Sequence, residues 1–398
     1  MNRATKASAE FSWPFLILMA LLMSFVALAI DMMLPALSQI GADLQAGGVN
    51  QSQMVITSVF LGMGLGLLLF GPLSDAYGRK PALFVGISIF IVGCLFSLFA
   101  QSFVWMLIGR LIQGFGGASC RVVTTAMIRD QYEGEVMAKV MSMVLILFIL
   151  VPAIAPSIGQ VILWVFHWRM IFVFMLVLAV FSGGWLFLGQ KETLAQEHQR
   201  PLSFATLRSG ALETLTHPVS MGYTLASGLV FGAFVGYLSS AQPILQGLYK
   251  LKGMFALAFG VLALVIGSAS FANSRLVERY GMKRLCTLAL TLMTILGAIA
   301  LPLFYSMQGQ PPLFLFLSYL AVTFFCAGIL FGNFSSMALQ PMGHIAGIAN
   351  SVVSAVQTIV SVFLGGLISA MYNGTVLPLT TGYLCLSLLS LIVVLRTK

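Results

Sequence analysis

Apolar stretches of about twenty residues alternate with short polar intervals along the whole chain. In residues 14–30, for example, no side chain carries a charge and Ser24 is the only hydroxyl. As a helix, such a stretch crosses a hydrocarbon core of about 30 Å, so the pattern predicts transmembrane helices. We predict twelve spans, at residues 14–39, 52–72, 81–100, 103–127, 136–162, 168–189, 218–242, 253–273, 284–305, 311–337, 345–371 and 376–395.

Composition favours a chain that is embedded in a membrane. Hydrophobic residues make up 59% of the sequence and charged residues 8%, with a mean hydropathy of +1.01. This leaves too little polar surface for a soluble domain. We therefore predict an all-α integral membrane protein, with a multi-pass chain in the lipid bilayer.

The distribution of lysine and arginine predicts the orientation. With a cytoplasmic N-terminus, fifteen of these residues fall in cytoplasmic segments and three in outer ones, Arg169, Lys250 and Lys252. The positive-inside rule then places both termini in the cytoplasm and the chain in the cytoplasmic (inner) membrane. The formal net charge of +9 follows from this bias and from contact with anionic lipid, so no nucleic-acid partner is expected. The fifteen are Arg3, Lys6, Arg79, Lys80, Arg129, Lys139, Lys191, Arg200, Arg208, Arg275, Arg279, Lys283, Arg284, Arg396 and Lys398.

One loop sequence occurs twice. LSDAYGRK at residues 73–80 and LVERYGMK at residues 276–283 share a leucine, an acid, Tyr-Gly and a lysine, 203 positions apart. An internal repeat of six helices predicts two six-helix bundles with a substrate path between them. We predict an N-terminal bundle at residues 1–189, a cytoplasmic central loop at 190–217 and a C-terminal bundle at 218–398.

Five stretches carry a resemblance to a known family. GPLSDAYGRKP at residues 71–81 resembles the signature loop of the major facilitator superfamily, and GRLIQGFGGA at 109–118 resembles its fourth-helix arginine motif. DMMLPAL at 31–37, VPAIAPSIG at 151–159 and ALQPMGHIAGIANSVVSAVQ at 338–357 are similar to the bicyclomycin-resistance and chloramphenicol-efflux type of drug:proton antiporter. The resemblance spans both halves and implies a twelve-helix transporter that works by alternating access.

The resemblance makes proton-coupled export of small amphipathic drugs or toxic compounds the first functional prediction. The fifth-helix motif departs from the fuller antiporter pattern, since the chain has Pro152, Pro156 and Gly159 but lacks the glycine ladder and the Gly-Pro pair. The alternative is therefore an importer on the same fold, which couples uptake of a nutrient such as a sugar or amino acid to a proton gradient. In either case we expect a small-molecule substrate and a monomer.

A membrane enzyme is the least expected class. The sequence contains no nucleotide-binding loop, zinc pair or nucleophile motif, and its loops are too short for a catalytic domain. The five cysteines all lie in apolar spans without metal-type spacing. We predict no catalytic residue, no metal and no cofactor, with protons as the coupling ion.

The signature loop contains the first candidate residues. Gly71 and Gly78 permit close helix contact and tight turns, and Arg79 and Lys80 supply positive charge. Asp75 can pair with an arginine or cap a neighbouring helix. We predict that the loop holds the two bundles together in one conformation and releases them in another. For the two basic residues, a simple topology signal is the alternative.

The fourth span carries unusual charges. Arg129 and Asp130, at its end, are predicted partners of the signature loop, and Glu278 is a weaker counterpart in the second half. Arg110 and Arg121 are eleven residues apart, which places them within about 20° of one face and about 16 Å apart along the axis. Arginine in a span faces a bundle interior or a watery cavity, so this face is predicted to line the transport path. For Arg121, snorkelling toward the cytoplasmic surface is the alternative.

Asp31 is the one acid that lies well inside a predicted span. Helix rise places it at a depth similar to that of Arg110. Burial favours the protonated acid and a nearby arginine favours the carboxylate, so we predict that these two residues handle the coupling proton. Pro35 removes the helical hydrogen bond to the Asp31 carbonyl and predicts a kink. A fixed ion pair between the two residues, which never titrates, is the alternative.

Other polar side chains within spans are candidates for substrate contact. They can bind substrate between the bundles, although hydrogen bonding between helices is the commoner role of such groups. The 22 methionines and 31 phenylalanines suit an adaptable apolar pocket. The predicted cavity residues are Gln113, Arg121, Gln242, Asn333 and Gln357.

Overall fold

The computed structural model describes residues 12–132, 134–199, 203–251 and 253–397. Within these ranges most of the chain is helical and no strand is found. Some of the charges used to predict the orientation lie outside the described residues, namely Arg3, Lys6, Arg200, Lys252 and Lys398.

The first half of the chain forms six helical spans. The first span is interrupted and comprises α1 (Trp13–Met23), α2 (Phe25–Asp31) and α3 (Leu37–Asp43). A single turn, α4 (Val49–Ser52), precedes the second span. The remaining five are α5 (Met54–Tyr77), α6 (Arg79–Leu98), α7 (Phe103–Gln131), α8 (Gly134–Val165) and α9 (Arg169–Gly189).

The second half forms six more spans after a connecting helix, α10 (Phe204–Thr216). Its first span, α11 (Pro218–Gln242), continues as a π-helical turn, Pro243–Leu248. The others are α12 (Phe255–Tyr280), α13 (Met282–Ser306), α14 (Leu313–Leu339), α15 (Ala346–Ala370) and α16 (Leu377–Arg396). The predicted all-α fold, with twelve spans in two bundles, is confirmed.

Hydropathy identifies most of these spans by itself. Within the described ranges, nine segments are long and apolar enough to cross a membrane, and one of them, Leu313–Ala370, contains both α14 and α15. Trp13–Met23 and Leu150–Val165 are shorter apolar helices. The remaining span is α7, whose arginines lower its hydropathy and which packs mainly on α5 and α6.

The first span is broken where its sequence weakens the helix. The Ser24 residue ends α1, and its hydroxyl donates to the Ala20 carbonyl at 2.7 Å. The next segment, α2, ends at Asp31 because Pro35 has no N–H to donate to the Asp31 carbonyl. The chain continues as a 3-10 turn, Leu34–Ala36, before α3 begins. The kink predicted from Pro35 is thus present.

The largest contacts between the bundles join α5 to α15 and α8 to α12, and α11 also touches α5 and the 3-10 turn of the first span. At the second of these contacts, a Cβ at Gly260 would lie 2.8 Å from the Ala153 carbonyl oxygen. Because the number of spans is even, both ends of the described chain lie on one side of the molecule. We call this the terminal side, and the other the opposite side.

The antiparallel helices α5 and α15 approach each other on both sides. On the terminal side, a Cβ at Gly71 would lie 2.4 Å from Ser351 Oγ, so a residue with a side chain would displace the Ser351 hydroxyl. On the opposite side, Asn50 Nδ2 donates to the carbonyl oxygens of Ala370 and Tyr372, at 2.8 and 3.0 Å. In this conformation the two bundles therefore touch at both ends of this helix pair.

Candidate transport site

Asp31 lies at the break in the first span and is almost fully buried, with 4% of its surface exposed. Within the described ranges, no hydrogen bond or ion pair reaches its carboxylate. Its chain neighbours Ile30 and Met32 are apolar and buried as well. An ionised carboxylate without a partner is costly in such surroundings. Its charge state therefore depends on what the other bundle or a substrate brings to it.

The fifth-helix motif packs against this break. A Cβ at Gly159 would lie 2.2 Å from the Met32 carbonyl oxygen, so α8 comes this close only because the residue is glycine. Pro152 and Pro156 lie within the same helix, and each leaves a carbonyl one turn earlier without its helical donor. The neighbouring Gln160 has a buried Oε1 with no partner in the described chain. Nothing in the sequence singles out Gln160, because a lone amide near a helix end is common.

Arg110 is fully buried inside the first bundle. Its Nη2 donates to the Ala29 carbonyl at 2.6 Å, and its Nε donates to the Val55 carbonyl at 3.2 Å. The guanidinium lies over the Phe172 ring, 5.8 Å from its centroid. No Asp31–Arg110 ion pair occurs among the described residues. The fixed ion pair considered above is thus not found, and the two predicted coupling residues are linked only through the backbone of α2.

Gln113 belongs to the same buried cluster and not to the cavity. Its Oε1 accepts from Arg110 Nη1 at 2.5 Å. Its Nε2 donates to Cys94 Sγ at 3.1 Å and to Met175 Sδ at 3.3 Å. Because all these contacts lie inside the first bundle, the prediction that Gln113 lines the substrate cavity is corrected. The amide instead helps to hold Arg110.

The signature loop forms a charged network on the terminal side. Arg79, which is 8% exposed, forms ion pairs with Asp75 and Asp130, the latter at 2.9 Å from Nε to Oδ2. Its Nη1 also donates to Ser74 Oγ at 2.8 Å. Both ion pairs agree with the sequence analysis, in which Asp75 of the loop can pair with an arginine and Asp130 is a partner of the loop. Asp75 also reaches the second bundle, since its Oδ2 would lie 3.6 Å from a Cβ at Gly347 of α15.

A residue that the sequence did not single out, Glu192, caps α6. Its carboxylate accepts from the backbone N–H of Lys80 at 3.0 Å. Gly78, with φ at +100°, makes room for it, because a Cβ there would lie 2.7 Å from Glu192 Oε2. Lys80 Nζ in turn donates to the Gln190 carbonyl at 2.7 Å, at the end of α9. The loop therefore fixes α6 to α9 as well as supplying charge.

The second half reproduces part of this arrangement. Gly281, between α12 and α13, has a positive φ of +75°. Lys283 Nζ donates to the Thr397 carbonyl at 2.7 Å, at the end of α16. Lys283 thus joins α13 to the end of α16, as Lys80 joins α6 to the end of α9. The repeat read from the two loop sequences is therefore visible in the side-chain contacts.

Two predicted members of the network lie outside it. Glu278 is exposed and forms no ion pair within the described part of the chain, because Met282 stands where the first half has Arg79. Arg129 is also exposed, and no ion pair is found for it in the described ranges. Neither residue therefore belongs to the charged network of the signature loop. Asp130, next to Arg129, is the residue that pairs with Arg79.

Three further candidates for substrate contact are spread over different helices. Asn333 exchanges two hydrogen bonds with Asn273, at 2.8 and 3.2 Å, and so joins α14 to α12. This is the interhelical role that we gave as the alternative. Gln357 is half-buried on α15 and Arg121 is exposed on α7. Their contact with substrate stays a prediction.

A cavity of about 450 Å³ lies between the bundles on the opposite side. The first bundle contributes Ser38 and Gln53 to it, the second contributes Gln242 and Pro243, and none of its lining residues is charged. Gln53 is 1% exposed, and neither of its amide atoms has a partner in the described chain. Among the predicted cavity residues, Gln242 is the one that the structure places here.

The architecture defines a class of membrane protein before any comparison is made. Two six-helix bundles meet mainly along four helices, line a shared cavity and hold a buried acid beside their interface, as expected for a membrane transporter. The sequence profile of the Major Facilitator Superfamily matches residues 12–393, and the chain belongs to this family.

Several bacterial proteins are similar to this chain over most of their length. The bicyclomycin resistance protein homolog of Haemophilus influenzae is 27% identical over 374 residues, which cover 92% of this chain and 91% of that protein. The multidrug resistance protein MdtL of Klebsiella pneumoniae is 29% identical over 334 residues, which cover 82% and 81%.

Solved structures share the fold at low identity. A D-xylose–proton symporter matches with a TM-score of 0.74 and 15% identity, over 97% of this chain and 98% of that one. The human organic anion transporter MFSD10 matches with a TM-score of 0.68 and 17% identity, over 96% and 99%. At these identities the likeness shows the fold alone.

Proposed function

We propose that this protein is a proton-coupled antiporter that exports small amphipathic drugs or toxic compounds across the cytoplasmic membrane. Its similarity to a bicyclomycin resistance protein homolog and to MdtL multidrug resistance proteins supports export, and favours it over nutrient import. The observation that carries the coupling is the Asp31 carboxyl, which is buried and unpaired in the described chain.

The position of Asp31 links proton binding to movement of the bundles. Arg110 is held by backbone carbonyls, so Asp31 can gain or lose a proton without breaking a fixed ion pair. The break beside Asp31 packs against α8, which forms part of the interface between the bundles. When the bundles move, the surroundings of the carboxyl change, and by linkage its proton affinity changes with the conformation.

The units that move are proposed to be the two predicted bundles, residues 1–189 and 218–398, joined by the loop at 190–217. Asp75, which pairs with Arg79, reaches α15 on the terminal side, so this contact favours one of the two conformations. We place the terminal side in the cytoplasm, in accord with the lysine and arginine distribution. A membrane potential of 100 mV is worth about 2.3 kcal/mol per charge moved, so a single proton per cycle provides a useful driving force. We propose a monomer that needs no cofactor beyond this proton.

The test is drug accumulation in an efflux-deficient bacterial strain that expresses the protein. For a fluorescent substrate, accumulation should fall on expression and recover when an uncoupler collapses the proton gradient. A panel of nutrients and drugs, measured in the same strain, checks the direction of transport. Increased uptake of any panel member, abolished by the uncoupler, would instead support the importer.

A further inference from the structure

Tyr237, on α11 of the second bundle, has a buried hydroxyl that lacks a partner. The residue is 1% exposed, and its hydroxyl has no hydrogen-bond partner in the described chain. The ring is held edge-on to Phe324, at 4.8 Å between centroids, and stacked on Phe259 at 5.9 Å. Packing thus fixes the ring while the hydroxyl stays unsatisfied. An unsatisfied buried donor is costly and calls for a specific explanation.

The helix that carries Tyr237 meets the first span at the level of Asp31. It contacts the 3-10 turn Leu34–Ala36, which follows Asp31 in the chain. Further along, Ser38 of the first span and Gln242 of α11 line the same cavity. Asp31 precedes Ser38 by seven residues and Tyr237 precedes Gln242 by five, so each lies roughly one to two turns along its span from the cavity. The two side chains are therefore at similar depth.

The two groups also lie on elements that touch, since α11 contacts the 3-10 turn that follows Asp31. Neither group has another hydrogen-bond partner among the described residues. A buried donor and a buried acceptor, both unpaired, thus lie near each other across the interface between the bundles.

We propose that Tyr237 is the residue through which the C-terminal bundle responds to the charge state of Asp31. The inference rests on the transport cycle proposed above. When the bundles approach, the phenol O–H donates a hydrogen bond to the ionised carboxylate, and the bond weakens when the carboxyl takes up a proton. A hydrogen bond to an ionised acceptor is about twice as strong as one between neutral groups. Tyr237 is a positioning residue, since it acts through Asp31.

Other titratable groups around Asp31 belong to the first bundle. Arg110 is bound to backbone carbonyls, and Cys94 accepts from Gln113. Tyr237 is a titratable group that the second bundle brings to this depth on the helix that touches the first span. The remaining described groups on the helices around Asp31 are Cys120, Arg121, Arg129 and Asp130 on α7, Tyr223 on α11, and Asp75, Tyr77, Lys139 and Arg169 toward the ends of α5, α8 and α9.

The test follows the protonation of Asp31 directly, in purified full-length protein without drug. Infrared difference spectra recorded against pH report the C=O stretch of the protonated carboxyl, and loss of the band in Asp31→Asn assigns it. We compare the wild type with Tyr237→Phe and with Tyr383→Phe. The Tyr383 hydroxyl is also buried in the second bundle without a partner in the described chain, but it lies on α16, which packs mainly on α11 and α13 of its own bundle.

Loss of the donor destabilises the ionised carboxylate, so the proton is held to a higher pH. We expect Tyr237→Phe to move the midpoint of the Asp31 band upward by about one pH unit, and Tyr383→Phe to leave it within about 0.2 of the wild-type value. Equal midpoints in the two variants, or a downward movement in Tyr237→Phe, would overturn the inference. So would an Asp31 band that does not titrate while the protein stays folded.

A second measurement needs no variant. In wild-type protein with isotope-labelled tyrosine, the phenol C–O stretch of one residue should change at the pH at which the Asp31 band changes. A tyrosine spectrum that is constant across that pH overturns the inference. The drug-accumulation assay is independent of both measurements: if it shows no uncoupler-sensitive export while the bands behave as expected, the proposed function fails and the Tyr237–Asp31 contact stands.

Discussion

Asp31 is the only buried acid among the described residues. Other acids find a partner, as Asp75 and Asp130 do in Arg79, or lie exposed, as Glu278 does. A buried polar group without a partner lowers stability and therefore calls for a functional explanation. At the scale of the residue, binding and release of a proton at this carboxyl is the explanation that fits its place beside a helix break.

We expect Asp31→Asn to abolish proton-driven efflux while the protein still folds and binds drug. The amide has nearly the size of the carboxyl but cannot exchange a proton in the cycle. The measurement is drug transport driven by an imposed pH gradient in proteoliposomes. Glu278→Gln is the matched control, since the same chemical change at an exposed acid should leave transport at the wild-type level. If Asp31→Asn still moves a neutral drug against its gradient, another group carries the proton.

At the scale of the element, the helices were predictable and the direction of their side chains was not. Hydrophobic patterning located the spans, and Pro35 located the break after Asp31. Helix rise correctly placed Arg110 near the depth of Asp31, because rise depends on residue count alone. The partner of an arginine also depends on how the neighbouring helices are rotated about their axes, and residue spacing does not encode this rotation. The Arg110 guanidinium binds the carbonyls of Ala29 and Val55, and these partners could not be predicted.

The residue that caps α6 could not be predicted from the sequence either. Glu192 lies 113 residues beyond Arg79 in the chain, and its carboxylate accepts from the backbone N–H of Arg79 at 2.9 Å. In the sequence it is only an acid in a polar interval, which fits a solvated loop equally well. By contrast, the pairing of Asp75 with Arg79 spans only four residues, across the Gly78 turn, and could be anticipated from the signature loop itself.

We expect Asp75→Asn to slow turnover about two- to fivefold and to leave drug affinity nearly unchanged. The Asp75 side chain is 41% exposed, so its ion pair with Arg79 is worth at most about 1 kcal/mol, a factor of about five in a conformational equilibrium. The residue touches α15 on the terminal side, far from the cavity on the opposite side. Initial efflux rates in cells and equilibrium drug binding in detergent separate the two effects.

Asp130→Asn is the control for this prediction. The change weakens the other ion pair of Arg79, but the polar contacts of Asp130 are with Arg79 of the first bundle and Thr193 of the central loop, not with the second bundle. We expect it to lower the thermal stability of the protein more than its turnover. A loss of drug affinity in folded Asp75→Asn that matches its loss of turnover would show that the loop acts on the binding site and not on the conformational change.

At the scale of the whole molecule, the two halves share the lysine contact with the end of their last helix, but they differ in the charges of the repeated loop. Lys80 and Lys283 each bind the end of the last helix of their bundle. Only the first half has an arginine at the position of Arg79, because the second half has Met282 there. The first bundle therefore presents an ion pair beside α15 on the terminal side, whereas on the opposite side Asn50 forms neutral hydrogen bonds with the second bundle. Salt should weaken the Asp75–Arg79 ion pair and leave the Asn50 hydrogen bonds unchanged.

Alternating access requires the contact on the opposite side to break in every cycle, and a cross-link there should stop transport. Asn50 donates to the Tyr372 carbonyl across the interface, so Asn50→Cys and Tyr372→Cys, joined by a short bismaleimide, tie the bundles together. The background must lack the native cysteines. Tyr249→Cys with Pro311→Cys is the matched control, because Tyr249 bonds to the Pro311 carbonyl at 2.7 Å within the second bundle. We expect the first pair to lose drug transport in proteoliposomes on cross-linking and the control pair to keep it. Full transport by the first pair, with cross-linking complete on a gel, would show that the bundles need not separate on this side.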